Sequence, residues 1–233
     1  MKIALLGYGR MGKEIEKIAL QRGHEIVIKY AGKESYNIND ADVAIDFSLP
    51  NAAYDNIANC LENGVPIVSG TTGWLERYND IVALCEAQKG AFIYASNFSL
   101  GVNIFFELNK QLAKMMEQLN EYNVAIEEIH HTKKLDAPSG TAITLAEGII
   151  DQSSKQEWEL DGTPSDTSIP IKAIRTPDVP GTHTVNYDST IDSIAINHTA
   201  HNRQGFALGA VVAAEWLVDK EGVYSMKDVL NLG

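Results

Sequence analysis

Short runs of β-branched and aliphatic residues alternate with helical stretches through the first hundred residues of the chain. Strands that alternate with helices usually form a parallel sheet with crossover helices. The sequence therefore predicts an α/β fold for this part. Its predicted strands are Lys2 to Leu6, Glu25 to Tyr30, Asp42 to Phe47, Pro66 to Ser69 and Ala91 to Ala95.

The pattern changes after residue 100, where apolar residues recur at helical spacing. They predict one apolar helix face made of Ile104, Phe105, Leu108, Leu112, Met115, Met116 and Leu119. The elements predicted after it are strands at Val124 to Ile129, Ile169 to Arg175, Thr182 to Tyr187 and Ser193 to His198, and helices from about Thr141 and from Phe206 to Val218. We expect the tail, with Met226 and Val229, to pack back on the first domain.

Charge and composition exclude several classes of protein. The 233 residues include 19 Lys and Arg against 31 Asp and Glu, a net charge of −12, which argues against nucleic-acid binding. The longest apolar stretch, Phe206 to Ala214, is too short to span a membrane, and no secretion signal is visible. Two cysteines, Cys60 and Cys85, lie outside any Cys-x-x-Cys spacing, so we expect reduced thiols and a cytoplasmic protein.

A glycine-rich loop follows the first predicted strand directly and opens a helix. Glycines at this spacing let the backbone approach a pyrophosphate, which free amides and the helix dipole then hold. We predict a dinucleotide site on a Rossmann-like sheet, although a tight turn without a ligand would also use such residues. The loop residues are Gly7, Tyr8, Gly9, Arg10, Met11 and Gly12.

Three more predicted strands end in small or polar residues, at the sheet edge where ligands of parallel sheets bind. Together with the glycine loop they predict one cofactor crevice, while each alone also fits ordinary turn chemistry. The candidate cofactor contacts are Phe47 and Ser48; Gly70, Thr71 and Thr72; and Ala95, Ser96, Asn97 and Phe98.

The second predicted strand ends in lysines rather than in the acid typical of NAD-specific proteins. Lys29 or Lys33 can face a 2′-phosphate, which favours NADPH or use of both NADPH and NADH. The alternative is that both lysines are solvated surface charges.

A basic segment stands out in this acidic chain, because Ile129 to Leu135 holds two histidines and two lysines without an acid. It lies between a predicted strand and a helix that Asp136 or Ser139 can cap, so the helix amides can bind a small carboxylate. Adjacent strand residues point to opposite faces, so His130 and His131 do not form a metal pair, and we expect no metal. Hydrogen-bonded histidines at a strand end are the plainer alternative.

The stretch from Glu128 to Ala142 is similar to a Glu-Ala-His-His-x-x-Lys-x-Asp-Ala-Pro-Ser-Gly-Thr-Ala signature. The glycine loop, Gly70 to Gly73 and Ser96 to Asn103 match in the same order, so the chain resembles the 4-hydroxy-tetrahydrodipicolinate reductase (dihydrodipicolinate reductase) family from end to end. The resemblance implies NAD(P)H-dependent reduction of that small dicarboxylate in diaminopimelate and lysine biosynthesis. It also implies a homotetramer. We expect a dinucleotide-binding domain at residues 1–100 and 203–233, with an inserted α+β substrate-binding and tetramerisation domain at 101–202.

By position, the resemblance makes His130 the acid/base residue and Lys134 its cationic partner or proton donor. It places His131, Gly140 and Thr141 at the substrate carboxylates. In the family's reaction, water is lost from ring carbon C4, a hydride adds there, and a proton reaches the neighbouring carbon. Thr132, where an arginine is common, and Thr182, within a changed loop, are departures, and the roles of Arg175 and Arg203 stay open.

Two other functions remain compatible with the residues. One is a nucleotide-sensing module that binds the cofactor without turnover. The other is a different small-acid dehydrogenase on a Rossmann-like sheet, since a basic cluster can bind any dicarboxylate.

Overall fold

The computed structural model describes residues 1–32, 35–202 and 204–232. The chain divides into two compact units, Met1–Leu100 with Gln204–Gly233, and Gly101–Arg203. The interpretations of Lys33 and Arg203 lie outside the described residues.

The first unit is built on a parallel sheet of six strands. Its strands are β1 (Lys2–Leu6), β2 (Glu25–Tyr30), β3 (Val43–Asp46), β4 (Ile67–Ser69), β5 (Ala91–Tyr94) and β11 (Gly222–Tyr224). They lie in the order β11-β5-β4-β3-β1-β2. Its helices are α1 (Arg10–Gln21), α2 (Pro50–Glu62), α3 (Tyr78–Gln88), α6 (Gln204–Leu217) and α7 (Met226–Leu230). The predicted Rossmann-like parallel sheet is confirmed.

Successive strand residues point to opposite faces of this sheet and enter two separate cores. In β1, Ile3 and Leu5 pack with α1 and α6, whereas Ala4 and Leu6 pack with α2 and α3. Met226 is buried in the first of these cores, which confirms the expected packing of the tail. Although α6 is largely apolar, no helix in the described parts of the chain is long and apolar enough to cross a membrane.

The second unit contains a mixed five-stranded sheet. Its strands are β6 (Asn123–His130), β7 (Glu157–Leu160), β8 (Ser168–Arg175), β9 (Gly181–Asp188) and β10 (Ser193–Ala200), and they lie in the order β10-β9-β6-β8-β7. Strand β6 is parallel to β8 and antiparallel to β9. The helices α4 (Leu100–Met116) and α5 (Gly140–Ile150) complete the fold, so the expected α+β unit is confirmed.

Helix α4 buries only part of the face predicted for it. Phe105, Ala113 and Met116 enter the core together with Asn109, whose amide group donates to the carbonyl oxygen of Leu145 at 2.9 Å. Of the predicted apolar face, Phe105 and Met116 are buried and Leu112 is partly buried on the same core, whereas Ile104, Leu108, Met115 and Leu119 are exposed. The prediction was wrong for these last four because it counted apolar residues alone, whereas a buried asparagine with a hydrogen-bond partner also lies on the packed face.

Candidate active site

The glycine loop needs glycine for two geometric reasons. Gly7 has a φ of +99°, and a Cβ atom there would lie 2.1 Å from the carbonyl oxygen of Phe47. A Cβ on Gly12 would lie 2.4 Å from the carbonyl oxygen of Gly7. The amides of Gly7 and Tyr8 both donate to the carbonyl oxygen of Tyr30, at 2.9 and 3.1 Å, so the loop is fixed to the end of β2.

Helix α1 begins at this loop with an N-terminus that suits an anion. Gly9 is the N-cap and has no side chain to bind the first-turn amides, and no described atom lies within 4 Å of where its Cβ would be. Residues 10–13 include no acid. Helix-end amides that lack an intrahelical partner bind phosphate well, so the loop fits the pyrophosphate of a dinucleotide.

A buried carboxylate, Asp46, holds the neighbouring loops together. It accepts hydrogen bonds from the hydroxyls of Ser69 at 2.8 Å and Thr71 at 2.7 Å, and from the Asn56 amide group at 3.0 Å. The Ser48 amide donates to the Thr71 hydroxyl oxygen at 2.8 Å. Burial raises the pKa of Asp46, although these hydrogen bonds oppose the rise. Thr71 thus has a structural partner, and the sequence analysis did not identify Asn56 as a member of this network.

The loop after β5 mixes exposed and buried positions. The Asn97 side-chain oxygen accepts from the Ser99 amide at 2.9 Å, and Ser96 is exposed, as is Thr72 in the loop after β4. Phe98 is a core residue whose ring centroid lies 5.7 Å from that of Phe47. These loops leave the sheet at its carboxyl-terminal edge, where the sequence analysis expected a crevice.

Lys29 is paired rather than free. Its ammonium lies 2.5 Å from a carboxylate oxygen of Glu16 on α1, and the Tyr8 hydroxyl donates to the other oxygen. Sequence analysis named Lys29 and Tyr8 but not Glu16, because Glu16 meets them only once α1 packs beside β2.

A second polar cluster is centred on Glu128 of β6, whose side chain has no solvent exposure. It accepts from the Ser139 amide at 3.1 Å and from the Arg175 guanidinium at 3.0 Å. His183 lies 3.7 Å from the same carboxylate. Burial alone would raise the pKa of Glu128, but His183, Ser139 and Arg175 together lower it to about 2, so this group is ionised at neutral pH.

His130 lies beside this carboxylate and is itself buried. Its Nδ1 is 3.4 Å from Glu128, and its ring meets the His183 ring edge to face with centroids 4.9 Å apart. Desolvation, with smaller contributions from His183 and Lys134, lowers the pKa of His130 to about 4 despite the nearby Glu128. The imidazole is therefore neutral in the ligand-free protein at pH 7.

Arg175 fixes the loop that carries Lys134. Its guanidinium donates to the carbonyl oxygens of Lys134 at 3.3 Å and Asp136 at 2.6 Å. The Lys134 ammonium in turn lies 2.7 Å from the Asp136 carboxylate, which is more exposed than the lysine. Sequence analysis left the role of Arg175 open, and in the structure it is part of this cluster.

Helix α5 starts at the same cluster. Ser139 is its N-cap, and its hydroxyl accepts from the Ala142 amide at 3.2 Å and lies 3.1 Å from Nε2 of His183. Gly140 is exposed, and no described atom comes within 4 Å of where its Cβ would be. Thr141 and His131 are half-buried. The structure thus brings His130, Lys134 and the start of α5 into one region of the second unit.

The cluster also has the composition of a metal site. Glu128, His130 and His183 each offer a ligand atom, and these atoms lie within 4.8 Å of one another. However, the Arg175 guanidinium already binds the same carboxylate. A metal ion would meet this positive charge at short range, so the arrangement is better described as a hydrogen-bonded network.

These features define a class of protein, in which a glycine loop on a Rossmann-like sheet is joined to a second unit with a buried histidine and carboxylate cluster at a helix start. Residues 1–98 match the family described as dihydrodipicolinate reductase, N-terminus, and residues 101–230 match its C-terminus. The chain belongs to the dihydrodipicolinate reductase family, which confirms the resemblance carried by the signature.

Curated relatives agree over the whole length. A 4-hydroxy-tetrahydrodipicolinate reductase from Christiangramia forsetii is 60% identical over 235 residues, covering 99% of this chain and 98% of the relative. One from Archaeoglobus fulgidus is 38% identical over 262 residues, covering 99% of this chain and 100% of the relative. A solved dipicolinate-bound dihydrodipicolinate reductase from Paenisporosarcina sp. TG-14 has a TM-score of 0.78 at 24% identity, covering 97% of both chains, and shows the same fold.

Proposed function

We propose that this protein reduces 4-hydroxy-tetrahydrodipicolinate to tetrahydrodipicolinate with NADPH or NADH, in diaminopimelate and lysine biosynthesis. The observation that carries the proposal is the cluster that the buried Glu128 and His130 form with Arg175 at the start of α5, in a chain of this family. The reductase names of the relatives at 60% and 38% identity support it.

The first unit is the proposed dinucleotide-binding domain. The nicotinamide nucleotide supplies the hydride that adds to ring carbon C4 after water has left. The amides at the start of α1 and the open Gly9 are suited to its pyrophosphate. The other proposed contacts come from the loops after β3, β4 and β5, in which Thr71 acts mainly by holding Ser48 in place.

The second unit is the proposed substrate-binding domain. The first-turn amides of α5 at Gly140 and Thr141 bind a substrate carboxylate, as a helix N-terminus does for any anion. His131 contributes at the same carboxylates, and the Lys134 ammonium stabilises negative charge that develops on the ring. The dicarboxylate found in the solved relative from Paenisporosarcina, dipicolinate, supports this class of ligand.

The protonation of His130 follows from its surroundings. Desolvation leaves it neutral before substrate binds, with its pKa lowered to about 4. A bound dicarboxylate brings two negative charges close to the imidazole and raises its pKa, because opposite charges favour the protonated form. We propose that His130 takes up a proton with the substrate, and that either this proton or one from the Lys134 ammonium itself reaches the carbon beside C4.

We also propose a homotetramer that works in the cytoplasm. Support for the assembly comes from the mixed sheet, where Ala195, Asn197 and Thr199 of β10 are exposed on the side away from the core. Support for a reducing compartment comes from Cys60 and Cys85, which are both buried free thiols.

The function is tested by following nicotinamide absorbance at 340 nm while the preceding synthase makes the substrate in situ from pyruvate and aspartate semialdehyde. We expect oxidation of NADPH or NADH that depends on the synthase. Nucleotide binding without oxidation would instead favour a nucleotide-sensing module, and oxidation with other small acids alone would favour a different dehydrogenase.

Substitution of Lys134 tests the proposed function at a single residue. We expect Lys134→Ala to lower kcat by about 10²- to 10⁴-fold, the usual range for a lost proton-transfer or charge-stabilising group. The nucleotide Kd should stay unchanged, because the glycine loop belongs to the other compact unit. Lys133→Ala, which alters the adjacent exposed lysine, is the matched control and should retain near-parental turnover.

A further inference from the structure

The carboxylate of Glu16 connects three elements of the glycine-loop region. One oxygen lies 2.5 Å from the Lys29 ammonium at the end of β2, and the other accepts from the hydroxyl of Tyr8 in the loop itself. The Lys29 ammonium also lies 5.5 Å from the centroid of the Tyr8 ring. The hydrogen bond from Lys29 lowers the pKa of Glu16, so the carboxylate is ionised at neutral pH.

The end of the second strand is the part of a Rossmann-like sheet that distinguishes NADH from NADPH. In Rossmann-like sheets the adenosine ribose lies beside the end of the second strand, where an acid binds the 2′-hydroxyl of NADH or a cation receives the 2′-phosphate of NADPH. In this chain the last two residues of β2, Lys29 and Tyr30, are not acidic, and Glu16 brings a carboxylate from α1 into contact with Lys29.

The charges of the pair favour an unphosphorylated ribose. Lys29 is balanced by Glu16 at contact distance, so its positive charge is no longer available in full to a phosphate. A 2′-phosphate carries nearly two negative charges at pH 7 and would be repelled by the carboxylate. A carboxylate has about four acceptor positions, so Glu16 can accept from a ribose hydroxyl while keeping Tyr8 and Lys29 as partners.

We propose that Glu16 is the specificity-determining residue of the cofactor site and that its pairing with Lys29 makes the protein prefer NADH to NADPH. This inference rests on the proposed use of a nicotinamide nucleotide. It adds a residue on α1 and a direction of preference that follow from the contacts of Glu16, Lys29 and Tyr8.

The test is the dissociation constant of each nucleotide, measured by quenching of protein fluorescence with the full chain and without substrate. We expect the parent to bind NADH more tightly. Glu16→Gln keeps the size of the side chain but removes its charge, and should lower the ratio of the NADPH Kd to the NADH Kd by about tenfold, the equivalent of 1.4 kcal/mol. Lys29→Met leaves Glu16 unbalanced and should raise the same ratio.

Glu14→Gln is the matched control, because Glu14 lies on the same helix and pairs instead with Lys17 at 2.8 Å. It should leave the ratio within twofold of the parent. Tighter binding of NADPH by the parent, an unchanged ratio in Glu16→Gln, or an equal shift in Glu14→Gln would each overturn the inference. If neither nucleotide binds the parent, the proposed function fails as well, whereas binding with an insensitive ratio removes the inference alone. The opposite shifts expected for the two substitutions keep the test decisive if one variant does not fold.

Discussion

Glu128 shows how one buried charge organises a group of residues. An ionised carboxylate without solvent contact is stable only if hydrogen bonds replace its lost water, and here the Ser139 amide and the Arg175 guanidinium do so. The same carboxylate raises the pKa of His130, but by less than desolvation lowers it. Glu128 therefore influences both the stability of the second unit and the protonation of the proposed acid/base residue.

We predict that Glu128→Gln lowers the free energy of unfolding by about 3–5 kcal/mol, because it leaves the partly buried Arg175 without its charged partner. The matched control is Glu127→Gln on the same strand, whose carboxylate pairs with Lys172 at 3.3 Å in a more exposed position. That change should cost at most about 1 kcal/mol. Urea unfolding followed by circular dichroism gives both values, and equal losses would contradict the role assigned to Glu128.

Stability should also depend on pH in two overlapping ranges. The pKa of His130 is about 4 in the folded protein against 6.5 ordinarily, so the unfolded chain binds a proton that the native state rejects, and stability falls from about pH 6.5 to 4. The pKa of Glu128 is about 2 against 4.5, so its contribution is lost from about pH 4.5 to 2.

Urea titrations between pH 4 and 8 check this dependence. The loss of stability from pH 6.5 to 4 should be shallower in His130→Gln than in the parent. Some dependence will remain, because desolvation also lowers the pKa of His198. Identical slopes for parent and variant would show that His130 is not held neutral by its surroundings.

At the scale of elements, the start of α5 contributes both to the stability of the second unit and to the proposed binding of the substrate. Ser139 caps the helix and contacts His183, and its own amide is bound by Glu128. A capping serine is worth about 1 kcal/mol, so the cap alone accounts for only part of what Ser139 does.

We predict that Ser139→Ala lowers the free energy of unfolding by about 1–2 kcal/mol and raises the KM for the dicarboxylate several-fold, since the α5 amides lose their fixed position. Ser225→Ala is the control, because Ser225 caps α7 in the other unit with a comparable bond to the Lys227 amide. Its loss should cost about 1 kcal/mol with no change in KM. Steady-state kinetics beside urea unfolding separates the two effects, and an unchanged KM in Ser139→Ala would remove α5 from the binding site.

The boundaries of the strands and helices show where prediction from the hydrophobic pattern succeeds. The predicted strands of the first unit agree with the structure within about two residues, because buried parallel strands form continuous apolar runs. Strands β7 and β11 were missed because Glu157–Leu160 alternates acidic and apolar residues and Gly222–Tyr224 begins with glycine, so neither is a continuous apolar run. The predicted face of α4 was right at Phe105 and Met116 but wrong at Leu108, which is exposed while the polar Asn109 is packed inside.

At the scale of the whole molecule, assembly is the property to measure. We predict a mass of about four times the 25.5 kDa chain by light scattering coupled to size-exclusion chromatography. Ala195→Glu places a charge on the exposed face of β10 and should produce smaller species, because a buried unpaired charge is costly at an interface. Leu20→Glu, on the exposed side of α1, should leave the mass unchanged. A monomeric parent would contradict the proposed tetramer.

The sequence by itself determined the alternation of strands and helices, the glycine loop, the signature from Glu128 to Ala142 and, through it, the family. These are local patterns, so a single stretch of chain contains all the information. Only the tertiary structure decided which side chains are partners. The pairing of β6 with β8 places His130 opposite Arg175, the pairing of β6 with β9 places Glu128 opposite His183, and the packing of α1 beside β2 joins Glu16 to Lys29. The physical reason is that strand register and helix packing are set by the burial of the whole core, which no local pattern of residues specifies.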